Sequence, residues 1–373
     1  MSGKKQILLL FILLLTLCAC KPKPLSYEIT FQKEEALEQV FDELAFSEDR
    51  NELVVHGFFN NTLYFSKWHD DASMIGQTKL VWKYDFDTQE YAEVLTLKDH
   101  LRVQDLVELE DGTILYTAVK SGEIDYLTPY TVEIHFVEKG KDNTLRSGLT
   151  WNYIGTPMIY MNQNGCHLNL FTMTDYNEDY TTFLECYHLY RFRNHKLELV
   201  EYGAYQVNNN SITPNQGDRF WSNLGTMAVN HDQLFYLIKH DDTIALNYGK
   251  IKMNTLPLDF SPNGMYEATD DYFITTDNLM KNVTYRLSDM EKLYFPELDG
   301  CCNGDLVAFD NGLLAVKNDD NDIFRYYFLK DDRLTPIQTE FPQDTRYHIL
   351  HDHAHMIIHT YNNHTFYRIS LTN

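Results

Sequence analysis

The chain has 373 residues, with 54 Asp and Glu against 31 Lys and Arg, a formal charge of −23. Such a surface repels phosphate backbones, which excludes nucleic acid as a partner, and favours cationic partners, metal ions or solubility outside the cell. Six cysteines make no disulfide scaffold in a chain long enough to bury a core without one.

Lys4 and Lys5 precede the apolar run Ile7–Leu15, too short to span a bilayer and the right length for a signal-peptide core. The run ends in Leu17-Cys18-Ala19-Cys20, which resembles the bacterial lipobox: an aliphatic residue, a variable one, a small one, then the lipidated Cys. Cys18 fits less well, because bulky Leu17 precedes it. The resemblance implies a signal peptide over 1–19 and acyl chains on Cys20. Residues 20–25 then form a tether holding the protein to the cell membrane on its extracytoplasmic side. An ordinary cleaved signal or an uncleaved anchor is the competing reading. Without Lys4 and Lys5 the mature charge is near −25, so anchoring must come from lipid rather than from basic patches.

Lys21-Pro-Lys-Pro24 is a stiff spacer. Ser26–Gln32 alternates like a strand, and Glu34–Ala45 places Leu37, Val40, Phe41 and Leu44 at helical spacing. From Glu52 onward the pattern is strands. The phrase Leu109–Val119 reads as a strand end, a tight Asp111-Gly112 turn and a second strand. Six further copies carry Asn60-Asn61, Asn164-Gly165, His231-Asp232, Asp270-Asp271, Asn311-Gly312 and Asp352-His353. Their second turn residues are spaced by 51, 53, 67, 39, 41 and 41 residues. Periods of roughly 40–50 residues with four short strands mark propeller blades. The long gap is accounted for by a loop insertion at Gly203–Arg219, rich in turn formers.

The seventh copy ends just after its third strand, and an open blade would leave a sheet edge bare. Ser26–Gln32 is the natural outer strand to close it against Thr365–Leu371. The expected fold is therefore all-β, a seven-bladed β-propeller over residues 26–373 with one short N-terminal helix. The chain resembles β-propeller lipoproteins as a class over nearly all its mature length, with no WD or kelch signature to narrow the family.

The loops between second and third strands share one face and are alike. Lys67-Trp68-His69-Asp70-Asp71, Lys239-His240-Asp241-Asp242 and Lys317-Asn318-Asp319-Asp320 repeat a Lys, then His or Asn, then two Asp. Asp175, Glu178, Asp179 and Asp277 fall in equivalent loops. A ring of carboxylates suits a divalent cation or a cationic partner; the competing reading is ordinary turn residues multiplied with the blades. Asp175-x-Asn177-x-Asp179 starts like a calcium loop but lacks its Gly and Glu. Trp68, Trp151, Tyr153, Tyr176, Tyr180, Tyr205, Phe220 and Trp221 crowd the same face and suit sugar stacking, protein contact or plain packing. His353, His355 and His359, out of a cluster with His348, His351 and His364, are ligand types for a transition metal or else solvated turn residues. Cys301-Cys302 is a vicinal disulfide or two buried thiols. Cys166 and Cys186 are expected in neighbouring strands with Cys186 near Asn169, hence unbridged.

No nucleophile elbow, phosphate-binding glycine loop, His-Glu-x-x-His or zinc-spaced Cys pair is present, and no cofactor is implied. The reading favoured by these features is a surface-anchored, non-enzymatic binding module for a protein or glycan partner. It would bind through Trp68, His69, Asp70, Asp71, Tyr176, Asp179, His240, Asp241, Asp242, Asp319 and Asp320. The alternative is an extracellular polysaccharide hydrolase or lyase using His69, His240 and nearby aspartates; a third is an envelope assembly factor.

Overall fold

The computed structural model describes residues 27–47, 52–69, 77–97, 101–120, 130–151, 158–162, 165–174, 177, 181–208, 211–214, 227–230, 233–240, 243–249, 252–260, 262–277, 279–301, 306–309, 312–318, 324–337, 347–352, 354–360 and 364–372. Their strands fall into seven antiparallel sheets in chain order, the blades of a β-propeller. Blades 1, 2, 4, 5 and 6 are four-stranded meanders, innermost strand first. Each expected hairpin turn joins the first and second strands of its blade.

The turn chemistry is visible where the backbone is described. Asn60 and Asn61 sit at φ 50° and 53°, the paired left-handed conformation of a two-residue hairpin that matches strand twist. Lys139-Gly140, Asn194-His195 and Asp331-Asp332 repeat it between third and fourth strands. Side chains on the two faces of each sheet pack between blades. Leu63, Phe65, Leu115, Phe235, Phe273, Leu313 and Ile357, all on second strands, are fully buried.

Blade 7 is completed from the other end of the chain. Glu28–Lys33 pairs antiparallel with Phe366–Thr372, from Glu28 opposite Thr372 to Lys33 opposite Tyr367. Helix α1 (Glu35–Glu43) follows at once, its Leu37, Val40 and Phe41 buried at helical spacing and its Glu35 and Glu38 placed at the positive N-terminal end. It stops at Ala45, whose φ of 55° turns the chain so that Phe46 N donates to Phe41 O. Phe41 meets Phe65 of blade 1 edge-on at 5.2 Å and Phe366 of blade 7 at 5.9 Å, so the helix wedges the closing junction. Among the described residues no helix is long and apolar enough to cross a membrane.

Two expectations need correction. Gly203–Arg219 is not simply a loop: the fourth strand of blade 3 runs through Lys196–Asn208 and turns into a fifth strand, Ser211–Pro214. Tyr205 explains this, because it is buried against Leu234 and Tyr236 of blade 4 and holds the segment extended. Cys186 lies opposite Thr172 rather than Asn169, and Cys166 opposite Phe192, so the two are unbridged as expected, in a different register.

Candidate functional site

The loop face is defined by the ends of second strands: His69, Thr174, His240, Asp277, Asn318 and Thr360. Trp68 and His69 close the second strand of blade 1 (Thr62–His69), and Trp68 is 38% exposed. Burial first, then Lys79 and Lys67, holds the His69 pKa below the ordinary imidazole value. The charges acting on His69 among the described residues are thus cationic, the opposite of what orients a general acid or base. His240 pairs with Thr243 at the equivalent point of blade 4, with only its backbone described. Asp70, Asp71, Tyr176, Asp179, Asp241, Asp242, Asp319, Asp320 and Cys20 lie outside the described residues, as do Tyr153, Tyr180, Phe220, Trp221, Asp175 and Glu178.

Other expected features resolve differently. Tyr205 is buried between blades, and Trp151 ends the fourth strand of blade 2. Asn177 uses its side chain on its own loop: Oδ1 accepts from Thr182 N at 3.1 Å and Nδ2 donates to Thr181 Oγ1 at 2.9 Å. That is turn chemistry, and it occupies an oxygen a calcium loop would need. The repeated Lys has a role the sequence did not disclose. Lys67 Nζ donates to Ala45 O and lies 5.3 Å over the Phe46 ring, while Lys317 Nζ donates to Glu297 O. Both lysines clasp the connection arriving from the preceding blade.

The histidines of blade 7 do not gather as His353, His355 and His359. His353 is outside the described residues, and His355 binds Asp352 in the turn at 3.1 Å. His359 is buried, stacked on Phe366 at 4.4 Å and hydrogen-bonded through Nε2 to His364 Nδ1 at 2.9 Å. Among the described residues, no three metal-ligating side chains converge. Cys301 is buried, and its neighbour Cys302 is outside the described residues.

Three polar groups near the channel were not singled out in the sequence. Each lies at a β-bulge of an inner strand, where one extra residue re-aims its neighbours. His56, at the bulge between Val55 and Gly57, hydrogen-bonds through Nε2 to Ser66 Oγ at 2.7 Å, and burial, with Arg102 adding, pushes its pKa down to about 3. Asp105 follows the bulge after Val103 and accepts from Ile159 N of blade 3 at 2.7 Å and from Leu106 N at 2.9 Å. Burial nevertheless raises its carboxyl to about 7. Glu267 follows the bulge after Met265, accepts from Ala268 N at 2.9 Å and from Ala308 N of blade 6, and is raised by burial to about 8. Its Oε2 lies 3.5 Å from His351 Nε2 on the inner strand of blade 7. Only His56 carried a legible signal, a polar side chain inside an otherwise apolar inner strand; Asp105 and Glu267 stand in strands with other polar or turn-forming residues.

No family model matches the chain, and no curated protein does. Solved structures do match in outline. A chain of the mitotic checkpoint complex aligns over 85% of this chain and 88% of its own, at 11% identity and TM-score 0.46. A polysaccharide lyase aligns over 85% and 90% at 9% identity and TM-score 0.46. A prolyl endopeptidase covers 92% of this chain, which spans 55% of it, at 10% identity and TM-score 0.46. At these identities the likeness concerns the fold alone.

Proposed function

We propose that the protein is a lipid-anchored surface lipoprotein that binds a protein or glycan partner through the loop face of its propeller without chemical turnover. What supports this reading is the register of the closing strand. Glu28 lies beside Thr372 and Lys33 beside Tyr367, so the strand starts on the face opposite the second-to-third-strand loops. A tether from Cys20 then reaches the fold on that opposite side. The spacer Lys21–Leu25 spans at most roughly 18 Å fully extended, which keeps the body near the bilayer with its loops outward. An acidic face turned away from anionic headgroups is the electrostatically favoured arrangement. Trp68, exposed at that face next to Lys67, supplies a ring for sugar stacking or protein contact.

Intact-mass measurement on the membrane fraction should find a processed chain beginning with an acylated Cys20; an unmodified N-terminus overturns the anchoring. A glycan array and cross-linking on intact cells should give binding that Trp68→Ala weakens about 5-fold to 100-fold, the range of one lost aromatic contact. Release of shortened or unsaturated sugars from a polysaccharide by the pure protein would favour the enzymatic alternative instead.

A further inference from the structure

Among the described residues, Leu279 and Tyr294 are large apolar side chains left mostly in solvent, at 70% and 56% exposure. Both sit on the loop face of blade 5. Leu279 lies in the loop after the second strand (Tyr272–Asp277), and Tyr294 follows the fourth (Glu291–Leu293), which runs toward the same face. One carboxylate ties the two segments together. Asp299 accepts from Tyr294 Oη at 2.7 Å and from Asn282 N at 2.7 Å, and Gly300 N donates to Met280 O at 2.9 Å. Asp277 pins the Leu279 loop, its Oδ1 accepting from Leu279 N at 2.8 Å and Lys281 N at 2.9 Å. The two side chains are thus held out on segments fixed by their own hydrogen bonds, so little freedom is lost when a partner covers them.

The setting is acidic. The hydrogen bond to Asp299 first, then burial and the charges of Asp299, Asp277 and Glu297, raise the Tyr294 phenol above its ordinary value. Lys317 of blade 6 reaches the same segment but is bonded to the backbone oxygen of Glu297 at 3.2 Å. Neither Lys317 nor Lys281 is among the charges acting most strongly on Tyr294.

We propose that Leu279 and Tyr294 are the contact centre for a basic segment of a protein partner, with an Arg or Lys side chain over the Tyr294 ring and an aliphatic one against Leu279. This rests on the loop-face reading above and names the class of partner. An aromatic face attracts a cation, and flanking carboxylates strengthen and orient that attraction. Tyr and Arg are the residues that most often carry the binding energy of an interface. A glycan fits less well. Oxygens of Asp277 and Asp299 already accept hydrogens from their own loops, so these groups offer charge more than acceptors for sugar hydroxyls. Leu279 also lacks the flat face on which a sugar ring stacks. The formal charge of −23 steers a cationic partner inward from a distance.

The test follows the fluorescence anisotropy of a labelled peptide of alternating Arg and Leu on the full-length protein, in about 0.15 M salt. A peptide of alternating Glu and Leu is the control. The Arg peptide should bind with a Kd below about 1 mM and the Glu peptide should not. Tyr294→Ala and Leu279→Ser should each weaken binding about fivefold or more while the circular dichroism stays native. Neither substitution alters the charge, so attraction by bulk charge alone would leave both variants binding as the wild type does. That result, or no binding below about 1 mM, would overturn the inference. Should Tyr294→Ala fail to fold, Leu279→Ser decides, because its side chain faces mostly solvent. A glycan-array signal that Tyr294→Ala abolishes, with no peptide bound, would keep the loop face as the binding face and overturn the basic partner. Binding on cells that ignores Trp68→Ala would count against the Trp68 contact alone and leave the peptide result standing.

Discussion

Arg368 Nε donates to Glu34 Oε1 at 2.9 Å, joining residues 334 apart in sequence where the ring closes. Arg368 also donates through Nη2 to Phe86 O at 3.1 Å, so one guanidinium ties blade 7, the start of helix α1 and blade 1. Glu34 is only 4% exposed, and removing its partner leaves a buried carboxylate unpaired. Arg368→Ala is therefore expected to lower stability by about 2–4 kcal/mol in urea unfolding. Glu34→Gln, which leaves only a half-exposed Arg, should lose less. A loss below about 0.5 kcal/mol for Arg368→Ala would show that the pair holds nothing together.

Deleting residues 21–33 removes the outer strand of blade 7 and exposes its third strand as an edge. Because that strand joins the two ends of a ring, the loss should lower the melting temperature of the whole domain rather than fray one blade. Hydrogen exchange resolved by blade would show accelerated exchange in blades 1 and 7 first. A truncated chain that melts with the full-length protein removes the closure role.

Phe41 has no exposed surface and contacts Phe46, Phe65 and Phe366. Phe41→Ala leaves a cavity between blades 1 and 7 and is expected to destabilise by about 3–5 kcal/mol. Gln39→Ala, on the exposed side of the same helix, should change stability by less than about 0.5 kcal/mol. Similar losses for both would mean the helix does not pack as described.

Stability should pass through a maximum near neutrality. Burial, the largest cause in each case, holds His56 and His359 down to about 3 and His167 and His188 down to about 4. Their folded values lie below the unfolded value of roughly 6.5, so their stabilisation is complete above about pH 6.5 and is lost as pH falls toward 4 and then 3. Asp105 and Glu267 act oppositely. Raised to about 7 and about 8, they favour the fold below roughly pH 4 and lose that contribution as pH rises through 7 to 8. From roughly pH 4.5 to 6 four protons oppose two, so stability climbs by at most about 3 kcal/mol per pH unit. Above roughly pH 6.5 the carboxyls alone titrate and stability declines. The urea midpoint should peak near pH 6.5–7 on that arithmetic, and Asp105→Asn should flatten the alkaline limb. A midpoint that rises steadily to pH 9 would contradict the raised carboxyls.

The sequence by itself determined the blade count, the seven hairpin turns and the closing strand. Asn60-Asn61 and Asp111-Gly112 express local backbone preferences, and strand alternation repeats them at a readable period. The missing outer strand at one end and the spare strand at the other followed from the same count. Turn-rich composition misled at Gly203–Asn208, where packing of Tyr205 against blade 4 overrode it. Tertiary structure alone decided that Lys67 and Lys317 clasp incoming connections, that Asp105 reaches Ile159, and that Glu267 meets His351. Those contacts depend on the height of each inner-strand bulge and on how far the ring curves before it closes. Both are set by side-chain packing between blades, a property of the whole ring that no local window of residues contains.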